Sequence, residues 1–146
     1  MRRSALQMFE LAGLKARAYA AAEDALPHIS RDLHAVIVTD IRMRGQSGLD
    51  LLGHATEVDP DLPVVLVTGH GDVALAVEAM QRGAYDFIEK PFASERLLDS
   101  VSRGLEKRRL TLEVRHLRDT IAGRWDNLEA RLIGRSEAML AIRNQI

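Results

Sequence analysis

Cysteine is absent from the 146-residue chain, which excludes a disulfide framework, a thiolate zinc site and a cysteine nucleophile. The expected compartment is a reducing one, the cytoplasm. No apolar run approaches the roughly 20 residues that span a bilayer. The acidic Glu10 interrupts the start before any stretch resembling a signal peptide, so no membrane partner is expected. No glycine-rich loop ending in Lys-Ser or Lys-Thr occurs, and nucleotide hydrolysis is therefore not expected of this chain. His54 and His70 have no second histidine three or four residues away, the spacing of a helical zinc pair.

What remains has the composition of a globular protein, with 47% hydrophobic and 28% charged residues. The length suits one domain and an appendage, not a multidomain enzyme. A net charge of −1 hides a division. Residues 1–94 carry 9 Lys/Arg against 13 Asp/Glu, whereas residues 95–146 carry 11 against 8. The triplet Lys107-Arg108-Arg109 in the basic part is read as a solvated helix face, and no direct nucleic-acid contact is assigned to it.

Local patterning alternates strand and helix. Apolar spacing predicts a helix from Arg2 to Leu14 with Gly13 as its stop, a short strand over Lys15 to Ala20, and a helix from Ala22 to Ile29. The β-branched runs Ala35 to Thr39 and Val64 to Thr68 read as parallel strands buried on both faces. Helices are expected at Leu49 to Val58 and at Val73 to Arg82, then a strand over Tyr85 to Glu89, and a long helix from Ser94 to Ala122. Tyr85 and Asp86 are taken as strand and surface residues, and the five methionines as core filling. Such alternation gives a doubly wound α/β fold with a parallel sheet. Its ligand edge is the carboxyl end of the strands, where Asp40, Thr68 and Lys90 fall.

At these residues the chain resembles the receiver domain of two-component response regulators. The matching pieces are Val38-Thr39-Asp40-Ile41-Arg42-Met43, Leu66-Val67-Thr68-Gly69-His70-Gly71 and Gly83 to Phe92. The last two look most like the subgroup joined to sigma-54 activator ATPases, dicarboxylate-transport regulators among them. The resemblance covers about residues 1–120, and Leu132 to Ser136 looks like the opening of the ATPase module. It implies a flavodoxin-like fold in which Asp40 accepts a phosphoryl group from a histidine kinase, while Lys90 and Thr68 contact phosphoryl oxygens. It also implies that Phe87 turns inward with Thr68, that the Lys90-Pro91 peptide is a cis candidate, and that Mg²⁺ is held by Asp40 and the Arg42 carbonyl.

Two departures qualify that inference. The family's first strand, ending in the acidic residues that hold Mg²⁺, is missing, because Met1 falls within the first expected helix. Glu10, Glu23 and Asp24 lie on helical segments instead, so Mg²⁺ would be thinly held. In the family's strand order, 2-1-3-4-5, the missing strand is central, and its loss is expected to leave two facing edges unpaired. A start upstream of Met1, or a fragment, is the favoured explanation. Closure by the 15–20 strand, or a strand from another chain, are the alternatives. The second departure is Arg44, which stands where the family has a proline after the acceptor.

Beyond Ser94, Leu98, Val101 and Leu105 are expected to pack on the sheet. Leu110, Val114, Leu117 and Ile121 continue the spacing with nothing to cover them, the pattern of a homodimeric helix pair. The chain divides accordingly into a receiver core (1–94), a last helix with dimerisation linker (95–122), and a connection with the truncated start of an ATPase module (123–146). Sigma-54 RNA polymerase would be reached only through that output module, which this chain lacks. The competing reading is a receiver-like dimerisation module that is never phosphorylated. A phosphatase using Asp40 would need a second acid two residues on, where Arg42 stands.

Overall fold

The computed structural model describes residues 2–41, 48–69, 73–121 and 141–143. Helix α1 (Arg2–Leu11) ends as its sequence requires. Gly13 adopts φ +82° and the Leu14 N–H returns to the Phe9 carbonyl at 2.9 Å, a closure that a side chain at the glycine would strain. Strand β1 (Arg17–Ala18) and helix α2 (Ala22–Ala25), continued by a 3₁₀ turn over Leu26–His28, lead to β2 (Ile37–Asp40). Then follow α3 (Gly48–Val58), β3 (Val64–Thr68), α4 (Val73–Gln81), β4 (Asp86–Glu89) and the 28-residue α5 (Ser94–Ile121).

Every residue of β2 and β3 is buried, because alternate side chains serve two cores. Ile37, Val64 and Leu66 meet Ala22, Ala25, Leu51, Leu52 and Ala79 from α2, α3 and α4. Val38, Val65, Val67 and Ile88 meet Phe9 of α1 and Leu97, Val101 and Leu105 of α5. These are the helices on both faces that a continuous apolar strand demands.

The expected gap at the centre of the sheet is corrected by the structure. A fifth strand, β5 (Ala141–Arg143), lies between β1 and β2, giving the all-parallel order β1-β5-β2-β3-β4. Ala141 and Ile142 pair with Arg17 and Ala18, and Ile142 and Arg143 pair with Val38 and Thr39. The physical reason is the cost of leaving buried peptide groups unpaired, about 1–3 kcal/mol each. A segment of the chain's own C-terminal part meets that demand, in place of an upstream strand, the 15–20 strand or another chain.

The basic triplet is corrected in part. Arg108 is fully buried against an equally buried Asp59, its Nη1 donating at 2.7 Å. Lys107 lies over the Tyr85 ring at 5.5 Å, and Arg109 pairs with Glu106 and Glu113 on the helix exterior. Leu110, Val114, Leu117 and Ile121 are exposed, Ile121 at 79%.

Candidate functional site

Asp40 ends β2, Thr68 ends β3, and Lys90 follows the last residue of β4. The register, with Asp40 beside Val67 and Thr68 beside Glu89, brings all three to the carboxyl edge of adjacent strands. A backbone bond from the Lys90 N–H to the Thr68 carbonyl, 2.9 Å, holds the last two together. Asp40 is 7% exposed and Thr68 is buried. The Lys90 Nζ stands 3.4 Å from an Asp40 carboxylate oxygen, with 35% of its own side chain exposed. A carboxylate screened from water beside a mobile ammonium is equipped for nucleophilic attack on an electrophile that carries negative charge. The peptide joining Lys90 and Pro91 is cis.

Gly48 opens α3 directly beneath Asp40. A Cβ there would collide with the Asp40 carbonyl oxygen and lie 2.8 Å from the Ile41 Cα, so the absence of a side chain lets the helix approach the strand end. Phe87 sits beside Leu66 in β4 and packs, partly buried, on the α2–α4 side of the sheet. Arg42, Arg44, His70, Gly71 and the 132–136 segment lie outside the described residues.

Receiver domains bind Mg²⁺ at an acidic pocket. The donor set described here does not fit that ion: among the described residues no three His, Cys, Asp or Glu side chains gather into a metal-holding group. Magnesium prefers near-octahedral oxygen coordination. The neighbour that Asp40 shows at 3.4 Å is an ammonium, and the strand filling the central slot is Ala-Ile-Arg. No step is assigned to a metal.

Asp86 was missed as a structural residue. Burial would push its carboxyl up, but Arg96 at 2.9 Å, the Ser100 hydroxyl at 2.9 Å, the Arg96 charge and the Phe87 N–H hold it below the usual carboxylate value. The cluster fastens the start of β4 to α5. Nothing in the spacing of Asp86, Arg96 and Ser100 announces it.

A doubly wound parallel sheet with an aspartate, a threonine and a lysine on its carboxyl edge defines a flavodoxin-like receiver module. The chain belongs to the response regulator receiver domain family, whose model matches residues 1–102. Over all 146 residues it is 51% identical to the C4-dicarboxylate transport transcriptional regulatory protein DctD of Pseudomonas aeruginosa, of which it spans 31% of the length. The crystal structure of NtrX from Brucella abortus in complex with ADP matches 80% of this chain and 27% of that one, with TM-score 0.69 and 39% identity. The response regulator StyR matches 90% of this chain and 66% of its own, with TM-score 0.78 and 30% identity.

Proposed function

We propose that the chain is the phospho-accepting switch of a sigma-54-type transcriptional activator, with Asp40 as acceptor. An Asp40 carboxylate oxygen attacks the phosphorus of a histidine kinase's phosphohistidine. The P–N bond breaks, and its electron pair leaves with the imidazole. Lys90 offsets the charge of the incoming group, and as a flexible point charge it can pass from carboxylate to phosphoryl oxygen. Thr68 donates its hydroxyl to another phosphoryl oxygen, and Phe87 moves inward in step. The observation that carries this reading is the convergence of Asp40, Thr68 and Lys90 on one sheet edge, with the 3.4 Å ion pair.

The output follows from the division of the chain into receiver core 1–94, linker 95–122 and connection 123–146. Phosphorylation turns the singly charged carboxylate into an acyl phosphate carrying roughly two negative charges, shifts the Thr68–Phe87 region, and changes how two copies pair through Leu110, Val114, Leu117 and Ile121. Sigma-54 RNA polymerase is engaged by an ATPase module following the linker, as the similarity to DctD suggests.

The test is intact-mass spectrometry of the folded chain after incubation with acetyl phosphate, with Mg²⁺ and with chelator, beside Asp40→Asn. A gain of one phosphoryl group in the parent alone supports the switch. No gain on a folded sample favours the competing reading, a dimerisation module that is not phosphorylated.

A further inference from the structure

The last apolar side chain of α5 buried in the core is Leu105, yet the helix continues to Ile121. Past that point the helix makes an ionic attachment to the domain. Arg108 donates from Nη1 to Asp59 at 2.7 Å, from Nε to the Leu33 carbonyl at 2.8 Å and from Nη2 to the Arg31 carbonyl at 2.9 Å. Arg115 donates to both oxygens of the same carboxylate, at 2.6 and 2.7 Å, and also reaches the Arg31 carbonyl at 3.1 Å and Asp61 at 3.3 Å. The Asp61 N–H completes the set at 3.0 Å. Asp59 and Arg108 are fully buried, and Arg115 is partly buried.

Residues 108 and 115 are seven apart, about two helical turns, and so share one face of α5 some 10 Å apart along its axis. Attachment at two points fixes a direction, whereas one point would leave a pivot. At 3.6 residues per turn, Leu110, Val114, Leu117 and Ile121 centre about 140° around the helix from the two arginines. The clasp therefore turns the exposed apolar row away from the domain.

We infer that Asp59 is a positioning residue for the linker half of α5: by binding Arg108 and Arg115 together it sets the direction in which the 110–121 row is offered to a second copy. The dimeric consequence rests on the function proposed above, but the anchoring does not. The clasp lies where α3 joins β3 and α2 joins β2, at the amino ends of the strands, whereas Asp40 lies at their carboxyl ends. Loss of the clasp should therefore spare phosphoryl uptake.

The experiment uses the full chain with Arg115→Gln, which removes only the outer guanidinium, and Asp59→Asn as the stronger variant. Amide hydrogen exchange is read over 95–105 and over 109–121. Because the chain has no cysteine, a spin label at Arg118→Cys gives the distance between copies without competing thiols. The expected result for Arg115→Gln is exchange over 109–121 faster by roughly tenfold, as for loss of charge-assisted hydrogen bonds. Exchange over 95–105 and the mass gain at Asp40 should stay unchanged, and the distance distribution should broaden. Unchanged exchange over 109–121 in Arg115→Gln, whose core remains folded if Asp59→Asn does not, overturns the inference. Faster exchange in a chain that stays monomeric at every concentration supports the anchor and contradicts the dimer reading instead.

Discussion

Asp40 and Asp59 are both buried carboxylates beside cations, at opposite edges of one sheet, and they are held in opposite ways. Asp40 faces the Nζ of Lys90 at 3.4 Å, on a side chain one-third exposed. Asp59 accepts from two guanidiniums and a backbone N–H at 2.6 to 3.0 Å. Burial by itself would push the Asp59 carboxyl up; the Arg115 and Arg108 bonds, the Asp61 N–H and the Arg108 charge outweigh it and hold the group well below the usual carboxylate range. Rigid guanidinium forks lock an anion in place, whereas a flexible ammonium neutralises one and can follow its oxygens elsewhere. On the proposed function, the first arrangement serves chemistry and the second position.

That contrast can be broken from either side. The largest effect is expected at the acceptor, where Asp40→Asn abolishes the phosphoryl mass gain and leaves the urea unfolding midpoint nearly in place. At the clasp the expectation reverses. Asp59→Ala leaves the fully buried Arg108 without a counter-charge and costs about 3–5 kcal/mol, the range for removing one partner of a buried pair, as measured by urea unfolding. Gly48→Ala sits between the two. Its Cβ meets the Asp40 carbonyl, so a stability loss of about 1–3 kcal/mol should accompany slower phosphoryl uptake.

Acid sharpens the comparison further. The folded Asp59 has a carboxyl pKa below its ordinary value of 3.8, so the stability it adds is complete above that value and is lost as pH falls below it. Unfolding midpoints measured downward from about pH 5 should fall more steeply in the parent than in Asp59→Asn. The smallest effect belongs to Arg109, whose partners Glu106 and Glu113 are all on the exposed face. Arg109→Ala should leave the midpoint unchanged within error, since such pairs are screened by water and salt.

The strands carrying the site were legible because Ala35 to Thr39 and Val64 to Thr68 are unbroken apolar runs, a pattern that only a doubly covered strand needs. Their carboxyl ends then located Asp40 and Thr68, and the end of the Tyr85 to Glu89 strand located Lys90, by topology alone. The fifth strand was not legible. Ala141-Ile142-Arg143 is too short to carry a period, and its partners lie more than one hundred residues away. The clasp was illegible for a related reason. Lys107-Arg108-Arg109 looks like a solvated run, and the carboxylate that buries its middle member stands 49 residues earlier in the chain. The available hint was the pair Arg108 and Arg115 on one helix face, among positions where apolar residues would otherwise continue.

The most direct test of the account is to map the phosphorylated residue. The folded chain is treated with acetyl phosphate, the acyl phosphate is trapped with borohydride, which reduces it to a homoserine, and the peptides are identified by mass spectrometry. The account predicts the mark at Asp40 alone, with Asp59 unmodified although it too is a buried carboxylate flanked by cations. A mark at Asp59, or none anywhere on a folded chain, would contradict it.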